Sequence, residues 1–210
     1  MPMNPEKVRE IIHHHVPGMA CPYCITLWEA SPFELKLARS RQSKVGDFTS
    51  RKNIAHPRIT LNKDLNPFLF LVTYIHEVAH LHVHLRFGHR VEPHGDEWKK
   101  TFQHLMQPML RNDVFPDEIL HHLAPHMQNP KASSFADADL TRALRSFDSN
   151  AAQYTALSDI PEGSIFNFQG RYFKKGKLKR TRVLCHEINS KRRYLVPAEV
   201  LVSDVQLTLL

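Results

Sequence analysis

The chain has few cysteines and no long run of apolar residues. Its three cysteines in 210 residues are too few, and odd in number, for a disulfide framework, which predicts a reducing cytoplasmic location. The longest apolar run, Phe68–Ile75, is far too short to cross a bilayer. The first residues are charged and no apolar segment follows them, so we expect no signal peptide. These shortages argue against a disulfide-rich secreted protein and a protein with membrane-spanning helices.

What is present is the composition of an ordinary globular protein. Hydrophobic residues make up 42% of the chain and charged residues 23%, which is typical of one domain of ordinary size with a small appendage. The formal net charge is +7 and the isoelectric point is near 9.4. This excess of positive charge permits an anionic partner without identifying one.

The most informative stretch is His76-Glu77-Val78-Ala79-His80, an H-E-x-x-H pattern. It lies in an almost wholly apolar segment that starts with an Asn66-Pro67 cap and stops at Gly88, so a buried helix is predicted. Two histidines four residues apart share one helix face and can bind a single Zn²⁺. Glu77 would lie beside the metal without being a ligand, where it can take a proton from water.

A third zinc ligand must come from the residues that follow this helix, because a catalytic zinc has three protein ligands and one open position. The candidates are His82, His84, His89, Glu92, His94 and Glu97. His84 lies about 12 Å from His76 along the helix axis, too far to share one ion. Residues 93–98 predict a turn and a new helix from near Asp96. His94, at the start of that helix, is favoured, and Glu97 is the competitor.

A small sheet is predicted before the zinc helix. Alternating apolar and polar residues indicate strands at 33–38, at 43–48 after a turn, and at 58–61, and we expect the three to form an antiparallel sheet. Other helices are predicted at 4–15, 96–110 and 116–123, with a short amphipathic helix around 140–147. The expected fold class is therefore α+β.

Two other clusters of metal-binding residue types are interpreted as structural. Cys21 and Cys24 form a C-x-x-C pair, but no further cysteine is near and no strand precedes them, so two buried helical thiols are predicted. His121 and His122 would point to different faces of their helix. For these two and for His126, a surface location is predicted.

The chain from residue 159 onward reads as a small β module. Strands are predicted at 165–168, 179–188 and 193–196, with turns at Lys175-Gly176 and Asn189-Ser190. These segments are short and rich in β-branched and aromatic residues. A hairpin or ribbon-like arrangement is therefore expected.

This module is also strongly basic. Between positions 171 and 193 there are ten Lys and Arg residues and one acid, Glu187. Cations interleaved with aromatic side chains are typical of nucleic-acid-binding surfaces, where cations meet phosphates and rings stack on bases. The expected contact residues are Arg171, Tyr172, Lys174, Lys175, Lys177, Lys179, Arg180, Arg182, Arg192 and Arg193.

Taken together, the motifs resemble those of the SprT-like zinc metallopeptidases, the group that includes Spartan. The similar stretches are Leu65–Phe68, His76–His80 and Pro93–Lys99, and Arg58–Asn62 is similar to the strand that precedes the active-site helix. The resemblance extends from about residue 33 to residue 108. It implies a zincin-like domain in which His76, His80 and His94 bind one Zn²⁺ and Glu77 is the catalytic base.

Changes in composition along the chain predict a division into domains. Residues 1–128 would form the protease domain, 129–158 a helical linker, and 159–210 the basic β module. Family members often end in a zinc ribbon with four cysteines, whereas this tail has only Cys185. Ribbon-like hairpins without a second zinc are therefore expected.

The implied function is that of a cytoplasmic or DNA-associated zinc metalloendopeptidase. By analogy with eukaryotic members, its substrates would be proteins bound or crosslinked to DNA, and its partners would be protein substrates and DNA. In zincins the strand nearest the metal holds an extended substrate through main-chain hydrogen bonds. Two alternatives stay open: a non-proteolytic DNA-binding protein with a structural zinc, and a general cytoplasmic zinc peptidase without a role on DNA.

Overall fold

The computed structural model describes residues 4–39, 41, 44–50, 56–132, 137–149 and 154–206. Helices and small sheets alternate along the chain, which confirms the α+β class. Two compact units are present, Met1–Asp148 and Ser149–Leu210. This boundary differs from the expected division at 128 and 158, because the helix after residue 137 packs into the first core. Of the expected linker, 133–136 and 150–153 lie outside the described residues.

The first unit contains most of the helices. In the described ranges they are α1 (Pro5–His15), α2 (Cys21–Ala30), α3 (Pro67–Phe87), α4 (Asp96–Met106), α5 (Asp117–His126) and α6 (Ala138–Arg145). The helices expected near 4–15, 96–110, 116–123 and 140–147 are confirmed apart from their ends. None of the described helices combines the length and apolarity that a membrane span requires.

Helix α3 runs through the centre of the first unit, and most of its residues are buried. The side chain of Asn66 accepts the N–H groups of Phe68 and Leu69 at 3.1 and 3.0 Å, and Pro67 occupies the first turn. At the other end Gly88 has a φ of 65°. Because this left-handed conformation disfavours residues with a Cβ, glycine ends the helix there, as expected.

The sheet of the first unit has three described strands. They are β1 (Glu34–Ala38), β2 (Gly46–Thr49) and β3 (Arg58–Asn62), in the spatial order β1-β3-β2. Strand β2 is antiparallel to β3, but β1 is parallel to β3. The expected antiparallel sheet is thus wrong for one of its two pairs. Residue alternation indicates strands without giving their direction, and the excursion through β2 supplies the crossover that a parallel pair needs.

Buried polar groups tie the helices to one another. The hydroxyl of Tyr74 in α3 donates to the carbonyl oxygen of Cys24 at 2.9 Å. The hydroxyl of Tyr23 donates to the carbonyl oxygen of Leu105 in α4 at 2.8 Å. Cys21 and Cys24 are both buried in α2, which confirms the interpretation of the C-x-x-C pair as core thiols.

The second unit is an antiparallel sheet. Its described strands are β4 (Thr155–Ala156), β5 (Ile165–Phe168), β6 (Arg171–Lys179), β7 (Arg182–Glu187), β8 (Arg193–Pro197) and β9 (Leu201–Gln206), in the order β4-β9-β5-β6-β7-β8. The expected three strands are therefore too few. Strand β9 returns beside β5, so the meander is more than a set of ribbon-like hairpins. Its small core includes Phe166 and Phe173, stacked with ring centroids 5.8 Å apart.

The turn expected at Lys175-Gly176 is wrong, because both residues lie inside β6. The strand register shifts between Lys175 and Leu178, and a Cβ on Gly176 would lie 2.6 Å from the carbonyl oxygen of Leu184 in β7. Glycine there marks a close approach of two backbones at an irregular position.

The cap of α3 gives a prediction about stability. Besides capping, the side-chain amide of Asn66 donates to the Leu144 carbonyl at 2.8 Å and to Asp148 at 2.6 Å. Asn66→Ala should therefore lower the free energy of unfolding by about 2–3 kcal/mol, since it removes a cap and leaves a buried carbonyl unpaired. Urea denaturation measures this change.

The matched control is Asn4→Ala, which removes the exposed cap of α1. That variant should lose about 1 kcal/mol or less. Equal losses for the two variants would show that the contacts to Leu144 and Asp148 do not stabilise the unit.

Candidate metal centre

Three histidine rings meet between α3 and the start of α4. The Nε2 atom of His80 lies 3.2 Å from Nε2 of His76 and 3.1 Å from Nε2 of His94. His76 and His80 are one turn apart on α3, and His94 lies in the turn before α4, whose first residue is Asp96. In the described part of the chain this is the one group of three or more potential ligands that could hold a metal.

The geometry of these nitrogens fits a metal ion better than a set of hydrogen bonds. A neutral imidazole carries one N–H, so Nε2 of His80 can donate to only one of its two neighbours. A shared cation satisfies all three lone pairs. Three ligands placed tetrahedrally at 2.0–2.1 Å from Zn²⁺ would have nitrogens about 3.3 Å apart, close to the observed separations.

Burial keeps the three rings in the neutral form that binds metals. The pKa of His76 is well below its ordinary value because of burial, with further contributions from His80, His94 and His126. Burial, followed by the neighbouring His94, lowers the pKa of His80 to about 4. The pKa of His94 is also lowered by burial. Metal binding therefore need not displace protons from these rings at neutral pH.

Helix α4 supplies an aromatic wall behind the histidines. The ring of Trp98 lies 4.6, 5.4 and 4.8 Å from the rings of His76, His80 and His94, measured between centroids. Phe102 stacks on Trp98 and also contacts His76. The sequence predicted a helix here without indicating that Trp98 and Phe102 lie against the histidines. These rings restrict the orientation of the donors and exclude water from one side.

Glu77 is buried between α3 and the edge strand β2. Its exposed fraction is 6%, and the nearby backbone N–H of Phe48 lowers its pKa, against the larger effect of burial. Burial raises the pKa of Glu77 to about 8, and the negative charge of Asp47 acts in the same direction. Glu77 thus places a carboxyl group directly after His76 in sequence and against a neighbouring strand.

His126 is not on the surface, contrary to expectation. Its side chain is 3% exposed, and its Nδ1 lies 3.0 Å from the carboxylate of Asp137, which caps α6. It is also close enough to His76 for its charge to lower the pKa of that ring. His121 is exposed and His122 half-buried. Helical spacing alone did not indicate that the end of α5 turns into the core.

Other candidate ligands lie outside the cluster. Glu97, the competitor for the third position, does not belong to the converging group. The ring of His84 lies instead near those of Phe48 and His89, at 5.6 and 5.0 Å. His82 is half-buried and lies on another face of α3.

The residues of the second unit that are expected to contact nucleic acid fall into three groups. Most of those expected to contact nucleic acid are exposed, namely Tyr172, Lys174, Lys177, Lys179, Arg180, Arg182, Arg192 and Arg193. Arg171 pairs with Glu187 at 3.4 Å and lies over the rings of Phe173 and Tyr194. Lys175 is buried, and its ammonium donates to the carbonyls of Ser158 and Ile160. Lys175 is therefore removed from the contact set.

Comparison with known proteins agrees with the geometry of the first unit. Residues 27–128 match the sequence profile of the SprT-like family, and this range contains the three histidines and Glu77. This segment is therefore similar to the SprT-like family. Residues 149–206, with the basic sheet, lie outside the match.

A shorter similarity links the chain to curated SprT-like relatives. A stretch of 59 residues is 36% identical to Protein SprT of Pseudomonas fluorescens strain SBW25 and to Protein SprT of strain Pf0-1. This stretch is 28% of the chain and 36% of each relative, so it spans little more than a third of either bacterial protein. No solved structure gives a significant match.

The raised pKa of Glu77 predicts that the zinc-free protein loses folding stability as the pH rises. The pKa of Glu77 is near 8 in the folded protein, and its ordinary value is 4.5. The contribution of the protonated Glu77 carboxyl group to folding stability is therefore fully present below pH 4.5 and is lost as the pH rises through 8. Glu77→Gln cannot ionise. It should therefore be more stable than the parent by an amount that grows between pH 5 and pH 9 to a few kcal/mol.

Thermal unfolding of the zinc-free proteins at pH 5, 7 and 9 measures this difference. Glu10→Gln, on the exposed side of α1, is the control and should show no comparable trend. A difference between Glu77→Gln and the parent that stays constant over this pH range would contradict the buried state of Glu77.

Proposed function

We propose that the chain is a zinc-dependent metalloendopeptidase that acts on proteins bound or crosslinked to DNA. The observation that carries the peptidase part is the convergence of three imidazole nitrogens, with a buried glutamate directly after the first histidine in sequence. His76, His80 and His94 would hold the ion, and Glu77 would be the base. The similarity of residues 27–128 to the SprT-like family supports this assignment.

The donor set leaves room for catalysis. Zn²⁺ with three protein ligands keeps one open position, lowers the pKa of water and polarises carbonyl groups. Glu77 would take a proton from the attacking water and then pass it to the leaving amine nitrogen. The Trp98 and Phe102 rings would keep the histidines in place and limit access of other water.

Strand β2 offers a place for an extended substrate. It lies at the edge of the described sheet and next to Glu77. The N–H of Asn62 donates to the carbonyl of Val45 at 2.9 Å, and hydrogen-bonded pairs alternate along an antiparallel ladder. Gly46 and Phe48 therefore direct their backbone groups away from β3. A peptide that pairs with the outward groups of Gly46 and the Phe48 carbonyl would be bound through its main chain, with little dependence on its sequence.

The association with DNA rests on the surface of the second unit. Lys174, His186 and Arg193 face one another across β6, β7 and β8, and Lys179 faces Arg182. Cations placed directly opposite each other on one sheet face destabilise it unless an anion is present. The one acid within these three strands, Glu187, is buried and pairs with Arg171. This face thus has the charge pattern expected for binding phosphates.

The direct test of the proposed reaction is cleavage of a DNA-bound protein by the zinc-loaded full chain, with and without single-stranded DNA. We expect cleavage that DNA stimulates. Glu77→Gln should retain zinc but lose at least about 100-fold in rate, the range of a missing general base. Gel electrophoresis of substrate, and of the enzyme for self-cleavage, measures both.

Metal content is the control for this experiment. His94→Ala should lose zinc, whereas Glu97→Ala should retain it. Cleavage that persists in Glu77→Gln would exclude the assignment of the base. Cleavage indifferent to DNA would favour a general zinc peptidase, and no cleavage by zinc-loaded protein would favour a binding protein with a structural metal.

Binding to DNA is tested by reversing charges on the basic face. The double variant Lys174→Glu/Arg193→Glu should weaken binding to a labelled single-stranded oligonucleotide by tenfold or more and reduce its salt dependence, because fewer counterions are released. Fluorescence anisotropy at several salt concentrations measures both. Lys7→Glu/Lys63→Glu makes the same charge change at exposed positions of the first unit; equal weakening by both pairs would exclude a localised face.

A further inference from the structure

Strand β2 and Glu77 are in closer contact than residue types alone would suggest. The backbone N–H of Phe48 is near enough to the Glu77 carboxyl group to act on its pKa. By the alternation of the β2–β3 ladder, this N–H faces the free edge of the strand and has no partner in β3. The edge strand therefore folds over α3 far enough for one of its outward groups to reach the glutamate.

Gly46, two residues earlier, lies over the same side chain. A Cβ at this position would be 2.6 Å from Cγ2 of Thr73, 2.8 Å from Oε1 of Glu77 and 3.0 Å from Cδ2 of Leu61. The backbone of Gly46 has no positive φ, so backbone conformation does not require glycine here. Its missing side chain instead leaves the space that the Glu77 carboxylate occupies.

The opposite face of β2 is held in place by charges. Asp47 pairs with Arg41 and with Lys44, the latter at 3.0 Å. Arg41 also donates to the side chain of Asn62 at 2.9 Å and to the carbonyl of Thr60 at 3.2 Å. Both of these acceptors belong to β3. The ion pair between Asp47 and Arg41, together with the hydrogen bonds of Arg41, thus holds β2 against β3 on the face opposite the contact with Glu77.

We propose that Gly46 and the Phe48 N–H are positioning groups for Glu77, the base of the proposed reaction. Gly46 admits the carboxylate to the space between β2 and α3, and the Phe48 N–H fixes one of its oxygens. The other oxygen is left to exchange protons with water and the leaving amine. The inference rests on the proposed function for its catalytic consequence but not for its structural part, which can be measured in inactive protein.

The first test measures amide hydrogen exchange in zinc-free full-length protein by NMR. The Phe48 amide should exchange more slowly than is usual for an amide at the unpaired edge of a sheet. Glu77→Ala should accelerate its exchange at least tenfold relative to the amide of Asp47, which faces Thr60 in the ladder. Glu77→Gln retains an acceptor oxygen and should preserve most of the protection. Unchanged exchange at Phe48 in Glu77→Ala would overturn the proposal, whether or not the protein is a peptidase.

The second test separates positioning from packing. Gly46→Ala should lower kcat by about 10- to 100-fold, the effect of a small misplacement of a reacting group, with KM and zinc content nearly unchanged. Thr73→Ser removes the methyl group that the new Cβ would meet first. In Gly46→Ala/Thr73→Ser the thermal stability should therefore recover while kcat stays low, because the overlap with Glu77 remains.

Recovery of both stability and kcat in that double variant would show that Gly46 serves packing alone. Gly18→Ala is the matched control, since a Cβ there would have nothing within 4 Å, and it should behave like the parent. If the parent itself does not cleave protein, the exchange experiment still decides whether β2 holds Glu77.

Discussion

The structure depends on the need of polar groups inside an apolar helix to find partners. Helix α3 is buried along most of its length, yet it carries two clustered histidines, a glutamate and a tyrosine hydroxyl. Each lies against a different element: the histidines meet His94 before α4, the glutamate lies against β2, and the tyrosine hydroxyl donates to the Cys24 carbonyl in α2. An unpaired polar group at this depth costs several kcal/mol. The need of these buried polar groups for partners therefore both stabilises the first unit and brings together the residues of the candidate site.

Sequence reasoning succeeded where the signal is local. The start and stop of α3 follow from side-chain capping at Asn66 and from the conformational freedom of Gly88, and both act within one turn. The H-E-x-x-H spacing follows from the period of the helix. A turn followed by a helix start reverses the chain and made both His94 and Glu97 candidates, and the resemblance to the SprT-like family helped to favour His94. These features need no knowledge of distant residues.

The failures concern contacts between segments far apart in sequence. Strand direction in the first sheet depends on how the chain crosses over, which residue alternation does not encode. The burial of His126 depends on Asp137, and that of Lys175 depends on two carbonyls in another loop. A lysine within a basic run gives no local sign that its ammonium points inward. Gly46 had no signal either, since its importance lies in what surrounds it.

The hydrogen bonds of Asn66 at the start of α3 affect how far the protein can be shortened. The family match ends at residue 128, yet Asn66 is held by Leu144 and Asp148, beyond that limit. A fragment that ends at residue 128 would keep His76, His80 and His94. It would lose the Leu144 and Asp148 groups that bind the Asn66 side chain at the start of α3. We therefore expect any minimal version of the first unit to extend through residue 148, beyond the end of the family match.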